Sequence, residues 1–130
     1  MFLNQLNLKQ RKAFIELAYY AAKIDNVFAE EEKHFIEIYK GEAGIEYYDV
    51  ENHDFDKMTA EFEDKKSKNI ALLEITALIY ADKKVTIEES QLLKDLQKKL
   101  NFTDKEMNTS ENWVKNYFNL LEKGTSFINA

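Results

Sequence analysis

Hydrophobic residues recur every three or four positions through most of this chain, which is the spacing of an amphipathic α-helix. The pattern predicts helices over residues 8–24, 30–40 and 69–81, and over two further segments that begin after Thr86 and Thr103. The first segment also holds small residues on its apolar face, which allow a second helix to approach closely. They are Ala18, Ala21 and Ala22. We therefore expect an all-α fold of six to seven helices.

The segment 69–81 carries one charge, Glu74, in thirteen residues. A helix that is apolar almost all round belongs in the centre of a domain. A buried β-strand is the alternative, because isoleucine and leucine dominate, but thirteen residues is long for a strand. We predict a central helix here.

Short polar motifs mark where helices begin and end. Thr86 followed three residues later by Glu89 is typical of a capping box, and Thr103 with Glu106 repeats the pattern. Gly44 occupies the position of a left-handed helix C-cap. Each motif predicts a helix boundary.

The stretch from residue 46 to residue 66 is less regular. Tyr47, Tyr48 and Val50 indicate a short helix, and Asp54 can cap a second one. The second helix has apolar residues at helical spacing, namely Phe55, Met58 and Phe62.

The last predicted helix has a break near Ser110 and ends at Gly124. Its aromatic residues are assigned to the core. They are Trp113, Tyr117 and Phe118. We expect a single domain over residues 1–124, followed by a flexible tail over 125–130.

Composition excludes several classes of function. The 130 residues contain no proline, no cysteine and three glycines. Thiolate metal sites, iron–sulfur clusters and disulfide scaffolds need cysteine, and phosphate-binding loops need clustered glycines. The longest run without a charge is the first eight residues, so we expect no membrane insertion and no secretory signal. Together these features predict a cytoplasmic protein.

Charge is distributed unevenly along the chain. The net charge is −6, which argues against a nucleic-acid partner. Residues 1–65 hold 8 basic and 15 acidic side chains, whereas residues 66–130 hold 10 and 9. Between Glu42 and Asp64 the only lysine or arginine is Lys57. This acidic segment, residues 42–64, is a candidate surface for a basic protein partner.

The sequence matches itself without a gap when it is shifted by 57 residues. The eight residues from Asp25 lie over the eight from Asp82, and their apolar neighbours correspond over about thirty residues. Gly44 lies over Asn101, and both residue types tolerate a left-handed cap. We therefore predict two helix-loop-helix units that pack about a pseudo-twofold axis.

These repeated positions resemble the tellurite-resistance TerB family and its wider TerB-like group. In that group an alanine-rich helix ends in Asp, a hydrophobic residue follows in a short turn, and a Glu lies seven positions after the Asp. The matching residues are Asp25, Phe28 and Glu32, then Asp82, Val85 and Glu89. The residue after the Asp is usually Gly in the family and is Asn26 or Lys83 here. The resemblance covers roughly residues 10–107. It implies an all-helical protein, cytoplasmic or membrane-associated through other segments, that binds divalent metal through acidic residues and acts in stress-response complexes. No catalytic activity is established for the family as a whole.

The repeated acids allow two interpretations. Carboxylates from both units could converge on a hard cation, Ca²⁺ or Mg²⁺ in preference to Zn²⁺. The candidate ligands are Asp25, Glu32, Asp82 and Glu89, and the second candidates are Glu31 and Glu88. Alternatively, each Asp caps a turn and each Glu completes a helix cap. An EF-hand is excluded, because neither loop has oxygen ligands at its third position or Glu at its twelfth.

Three further kinds of functional site have weaker support in the sequence. His34 lies at helical spacing from Glu30 and Glu37, as in a zinc site, but a lone histidine among glutamates is typical of a solvated face. His53 and Asp54 are adjacent, yet no nucleophile is marked near them. Paired carboxylates could hydrolyse glycosides, but the chain is short for a substrate cleft. We expect that the protein is not an enzyme.

Overall fold

A computed structural model describes residues 1–24, 30–50, 54–81 and 84–130, with side chains from residue 33 onward in the second range. The described residues form a short 3₁₀ turn, Leu3–Gln5, and α-helices, and contain no strand. The helices are α1 Leu8–Lys23, α2 Glu30–Glu42, α3 Phe55–Ala60, α4 Lys65–Tyr80, α5 Ile87–Leu100 and α6 Asp104–Ile128. The all-α prediction is confirmed.

Helix α4 is central, because it contacts α1, α5 and α6. Its apolar residues are buried on almost every side, as the near absence of charge predicts. The strand alternative for this segment is wrong. The predicted small residues of α1 are fully buried or nearly so, namely Ala18, Ala21 and Ala22. Small side chains at this position allow the close approach of neighbouring helices.

The helix boundaries repeat with the 57-residue shift seen in the sequence. Helix α1 spans residues 8–23 and α4 spans 65–80, while α2 begins at residue 30 and α5 at residue 87. Each first helix is capped by a side chain at the matching position, Asn7 or Asp64. The duplication therefore holds at the level of helix bounds and caps, and the pseudo-twofold arrangement of the two units stays a prediction.

The ends of the two second helices are also alike. Gly44 has φ of 72° and Asn101 has φ of 59°, so both adopt the predicted left-handed conformation. In each unit the next residue donates its backbone N–H to the carbonyl five residues earlier, over 2.9 Å for Ile45 and 2.9 Å for Phe102. Both of these residues are buried. This pairing of a left-handed cap with a buried residue is typical of a Schellman motif.

One predicted helix is absent from the described segment 46–50, which forms a turn. Ile45 is buried at its start, and Tyr48 donates its hydroxyl to Glu16 over 2.5 Å. These anchors hold the segment as a turn, so its apolar residues do not share a helix face. The second predicted helix is confirmed as α3, and the Asp54 side chain accepts from two N–H groups at its start.

Helix α6 is continuous, so the predicted break near Ser110 and the end at Gly124 are wrong. The Ser110 hydroxyl donates to the Thr76 hydroxyl across the contact with α4, over 3.2 Å, and caps nothing. Gly124 lies in open space within the helix. A glycine costs about 1 kcal/mol in a helix interior but does not end the helix by itself.

The aromatic residues of α6 are less buried than predicted. Trp113 is 39% exposed, while Val114 beside it is fully buried. Tyr117 and Phe118 are half-buried. The core assignment of the aromatic residues is therefore wrong for Trp113. None of the described helices combines the length and apolar character needed to cross a bilayer.

Candidate functional site

Part of the predicted cation site lies outside the described residues. This applies to Asp25 and Asp82, and to the side chains of Glu31 and Glu32 in the first turn of α2. Glu88 and Glu89 are described, and they lie in the first turn of α5. In the described part of the chain, no three His, Asp or Glu side chains are grouped so that they could hold a metal.

Glu89 takes part in the predicted capping box. It accepts a hydrogen bond from the Thr86 backbone N–H over 3.0 Å, and its own N–H donates to the Thr86 hydroxyl over 3.1 Å. Its side chain is buried, whereas Glu88 beside it is exposed. At this corner, therefore, the carboxylate has the capping role that is the alternative to metal binding.

The described residues supply no metal ligand or catalytic partner for either of the two histidines. His34 is exposed on α2, and Glu37 on the same helix pairs with Lys40 over 3.6 Å. His53 lies outside the described residues, and Asp54 is used as the cap of α3.

Glu74 is a buried acid that sequence reasoning did not select as a site residue. Its side chain is completely inaccessible to solvent. One oxygen accepts a hydrogen bond from the Met1 amino group over 3.1 Å, and that amino group also pairs with Glu42. The other oxygen, Oε1, has no hydrogen-bond partner among the described residues. Burial raises the pKa of Glu74, and the nearby amino group opposes this effect only in part.

The phenol of Tyr39 lies against the same group. Its hydroxyl donates to the Glu74 backbone carbonyl over 3.3 Å. Burial raises the Tyr39 pKa far above its ordinary value, and the negative charges of Glu74 and Glu42 add to the effect. The cluster therefore holds two carboxyl groups on one amino group, with a phenol beside the backbone of Glu74.

The internal repeat contains the signal that could have identified Glu74. Leu17 occupies the matching position of α1 and is also fully buried. A carboxyl group thus replaces a core leucine in the second unit. Comparison of the two units position by position would have revealed this exchange.

A groove of about 240 Å³ lies between α2 and α6, next to this cluster. It is mostly apolar, and its lining includes Phe35, Ile38, Tyr117, Phe118 and Leu121. Ile38 is 47% exposed and Leu121 is 49% exposed. The adjacent indole of Trp113 stacks on Tyr117 with ring centroids 5.5 Å apart. The groove therefore belongs to an exposed apolar surface.

A more polar groove of about 450 Å³ separates α5 from α4 and α6. Tyr80 and Glu111 both line it. Burial, together with Glu111, raises the pKa of Tyr80 to about 12, and Lys115 lowers the pKa of Glu111. Tyr80, Glu111 and Lys115 therefore form one interacting group at the edge of this groove.

The acidic segment is largely exposed. Tyr47 is 75% exposed, and the acids beside it on the turn, Glu46 and Asp49, are exposed as well. Asp56 pairs with Lys99 of α5 over 2.5 Å. The segment's acids that are exposed are Glu46, Asp49, Asp54, Asp56, Glu61, Glu63 and Asp64.

Lysines of α1 approach one end of this segment. Lys9 and Lys12 line a shallow groove together with Glu61 and Lys57. Lys12 also lies over the ring of Tyr48 in the turn, with its Nζ 5.6 Å from the ring centroid, so positive charge reaches the turn as well.

Comparisons of this chain with protein-family models, with curated proteins and with solved structures found no match.

Proposed function

We propose that this protein is a non-enzymatic, TerB-like helical module that binds a basic protein partner through its acidic segment. The observation that carries the proposal is the exposed turn of residues 46–49, where Tyr47 stands between two exposed acids. Aromatic side chains with a polar tip are enriched at protein interfaces, and surrounding charges steer a partner of opposite sign. The resemblance to TerB adds a role in a stress-response assembly.

The charge of the chain supports a basic partner. Residues 1–65 account for a net charge of −7, so the potential is strongest on this half of the molecule. Contacts of this kind raise the association rate more than the final affinity, and salt weakens them. We therefore expect binding that falls steeply as ionic strength rises.

The test uses a fluorescein-labelled deca-lysine peptide as the probe and measures anisotropy at low and physiological salt. The variant reverses two turn charges, Glu46→Lys with Asp49→Lys, and leaves the capping and ion-paired acids intact. The control makes the same change on other surfaces, Glu37→Lys with Asp95→Lys. We expect the turn variant to raise Kd by about tenfold and the control by less than about threefold.

Equal effects of the two variants would show that only net charge matters, and would refute the acidic segment as the docking surface. A third variant, Tyr47→Ala, separates the aromatic contribution from the charge. It should weaken binding without changing the salt dependence, because it removes no charge.

Divalent-cation binding is a second candidate function, favoured by the matching helix bounds of the two units. Asp25 and Asp82 each follow the last residue of a helix by two positions, and Glu32 and Glu89 are each third in the next helix. Both units therefore present acids at the same register. Carboxylates arranged in this way could share Ca²⁺ or Mg²⁺.

Calorimetric titration with Ca²⁺, Mg²⁺ and Zn²⁺ tests the cation proposal. We expect heat and a rise in Tm for the wild type, and their loss in Asp25→Asn with Asp82→Asn. Glu37→Gln with Asp95→Asn is the control, because it removes two acids outside the candidate ligand set and should keep both the heat and the rise in Tm. No heat and no change in Tm at millimolar metal would remove this function.

A further inference from the structure

The C-terminal part of α6 extends beyond the contacts that hold the rest of the helix. Residues 119–130 are all exposed, and the helix continues through them to Ile128. Leu120 is 68% exposed, Phe127 is 82% exposed and Ile128 is 78% exposed. Short helical segments gain most of their stability from packing an apolar face. The exposed apolar residues of this segment are therefore available to pack against a second surface.

The exposed apolar residues of α6, together with the half-buried Tyr117, form one continuous stripe. At 100° per residue they fall within a sector of about 120°. We name this set the α6 stripe, and its members are Trp113, Tyr117, Leu120, Leu121, Gly124, Phe127 and Ile128. The opposite side of the helix is polar, with Lys115, Asn119, Glu122 and Ser126. Such a division is typical of a helix that packs against one partner surface.

The α6 stripe continues into the apolar groove between α2 and α6. Leu121 belongs to both, and Ile38 of α2 forms the far side of the groove. The exposed stripe residues and Ile38 together present on the order of 700 Å² of surface, and each partner in a standard interface contributes about 800 Å². The surface is thus large enough for a stable dimer.

We propose that the α6 stripe pairs with the α6 stripe of a second copy of this chain, antiparallel, about a twofold axis between Leu120 and Leu121. This register places Leu120 beside the partner's Leu121, and Tyr117 beside the partner's Gly124. Gly124 has open space around its Cα, so it can receive the ring. A twofold interface requires such self-complementarity, since each contact occurs twice.

The charges of this surface argue against two other occupants. Residues 113–130 carry two lysines and one glutamate, so this surface lacks the excess acid that would attract a basic partner. It also lacks the lysine-rich and arginine-rich polar face of helices that lie on membranes.

Sedimentation equilibrium of the full chain from about 1 to 200 μM tests the pairing. The mass should rise from 15.3 kDa toward twice that value. Leu120→Lys should raise the dimer Kd at least about tenfold, whereas Asn119→Lys, the same charge on the polar side, should change it less than about threefold. Both positions are exposed, so circular dichroism should show the same fold.

Gly124→Leu distinguishes dimerisation in the proposed register from nonspecific hydrophobic association. Leucine adds apolar area and favours the helix, but it fills the space that receives the partner's Tyr117. The register predicts weaker dimerisation, whereas nonspecific hydrophobic association would become stronger. Stronger association of Gly124→Leu would overturn the proposal.

Cysteine cross-linking tests the direction of the helices, because the native chain has no cysteine. Leu121→Cys lies near the axis and should form a cross-linked dimer on mild oxidation. Ile128→Cys should not, because the two copies of residue 128 would be about 22 Å apart. Cross-linking of both variants alike would contradict the antiparallel arrangement.

Two other results would overturn the proposal. The first is a monomer throughout the concentration range. The second is a monomer that sediments with vesicles of phosphatidylcholine and phosphatidylglycerol, which would assign the α6 stripe to a membrane surface.

Discussion

Replacement of Glu74 by leucine should make this protein more stable. The side chain has no solvent exposure, one of its oxygens has no hydrogen-bond partner among the described residues, and burial raises its pKa. An ionised carboxyl group in such a place costs several kcal/mol, which one ion pair repays only in part. Leucine has a similar size, and it is the residue that the first unit uses at the matching position, Leu17.

The expected gain in the free energy of unfolding at pH 7 is about 2 kcal/mol, since replacement of buried ion pairs by apolar residues gives about 1–4 kcal/mol at best. For a chain of this length the corresponding rise in Tm is roughly 5–10 °C. The Met1 amino group keeps Glu42 as its partner after the change, so no charge is left isolated. Urea denaturation and calorimetry measure both quantities.

Leu17→Glu is the matched control. It places a carboxyl group at the corresponding position of α1, which is fully buried. A buried charge without a partner typically costs about 3–5 kcal/mol, so this variant should be strongly destabilised. A loss of more than about 1 kcal/mol in Glu74→Leu would refute the reasoning, because the contact with the amino group would then outweigh the burial penalty.

The pH dependence of Glu74→Gln provides an independent measurement. Because the pKa of Glu74 is raised in the folded state, the folded protein binds more protons than the unfolded chain above the ordinary pKa of 4.5. The wild type therefore loses stability relative to the glutamine variant as the pH rises from about 4.5 through the raised pKa. A difference in unfolding free energy that stays constant from pH 4.5 to 8 would contradict this.

Three further predictions follow from single contacts. Gly44→Ala should lower the unfolding free energy by about 1 kcal/mol, because the φ of Gly44 is 72°. Asn101→Gly, at the matching cap, should be neutral or slightly stabilising. Urea denaturation measures both changes, and equal effects of the two variants would contradict the role of the left-handed conformation. Thr86→Ala should lower stability by about 1 kcal/mol through loss of the capping box, which thermal denaturation checks, and an unchanged Tm would remove that role. The phenol of Tyr80 should titrate near pH 12, and Glu111→Gln should lower the pKa of this phenol. Absorbance at the phenolate band measures the titration. An unchanged midpoint in the variant would exclude Glu111 as a cause of the raised pKa.

Much of the helical framework could be predicted from local patterns. The capping boxes, the left-handed caps at Gly44 and Asn101, and the start of α3 at Asp54 depend on residues within a few positions of one another. Local hydrogen bonds decide such features, so they can be read directly from the chain. The same holds for α4, where a single charge between residues 69 and 81 indicates burial.

The candidate site was harder to predict, because its residues act through distant partners. Glu74 meets the Met1 amino group across 73 positions, and its burial depends on helices from both units. Trp113 has the type and spacing of a core residue, yet it is 39% exposed and its neighbour Val114 is fully buried. The metal prediction concerns residues 25 and 82, which lie outside the described ranges, so it stays a prediction.

By itself, the amino-acid sequence determined the helical class, the 57-residue repeat and most of the helix boundaries, because short-range spacing, caps and glycine conformation control them. Only the tertiary structure decided which apolar residues are covered and which carboxyl groups are buried. Both depend on how helices far apart in sequence pack together. The exposed stripe of α6 and the buried Glu74 are the two consequences of that packing for function and stability.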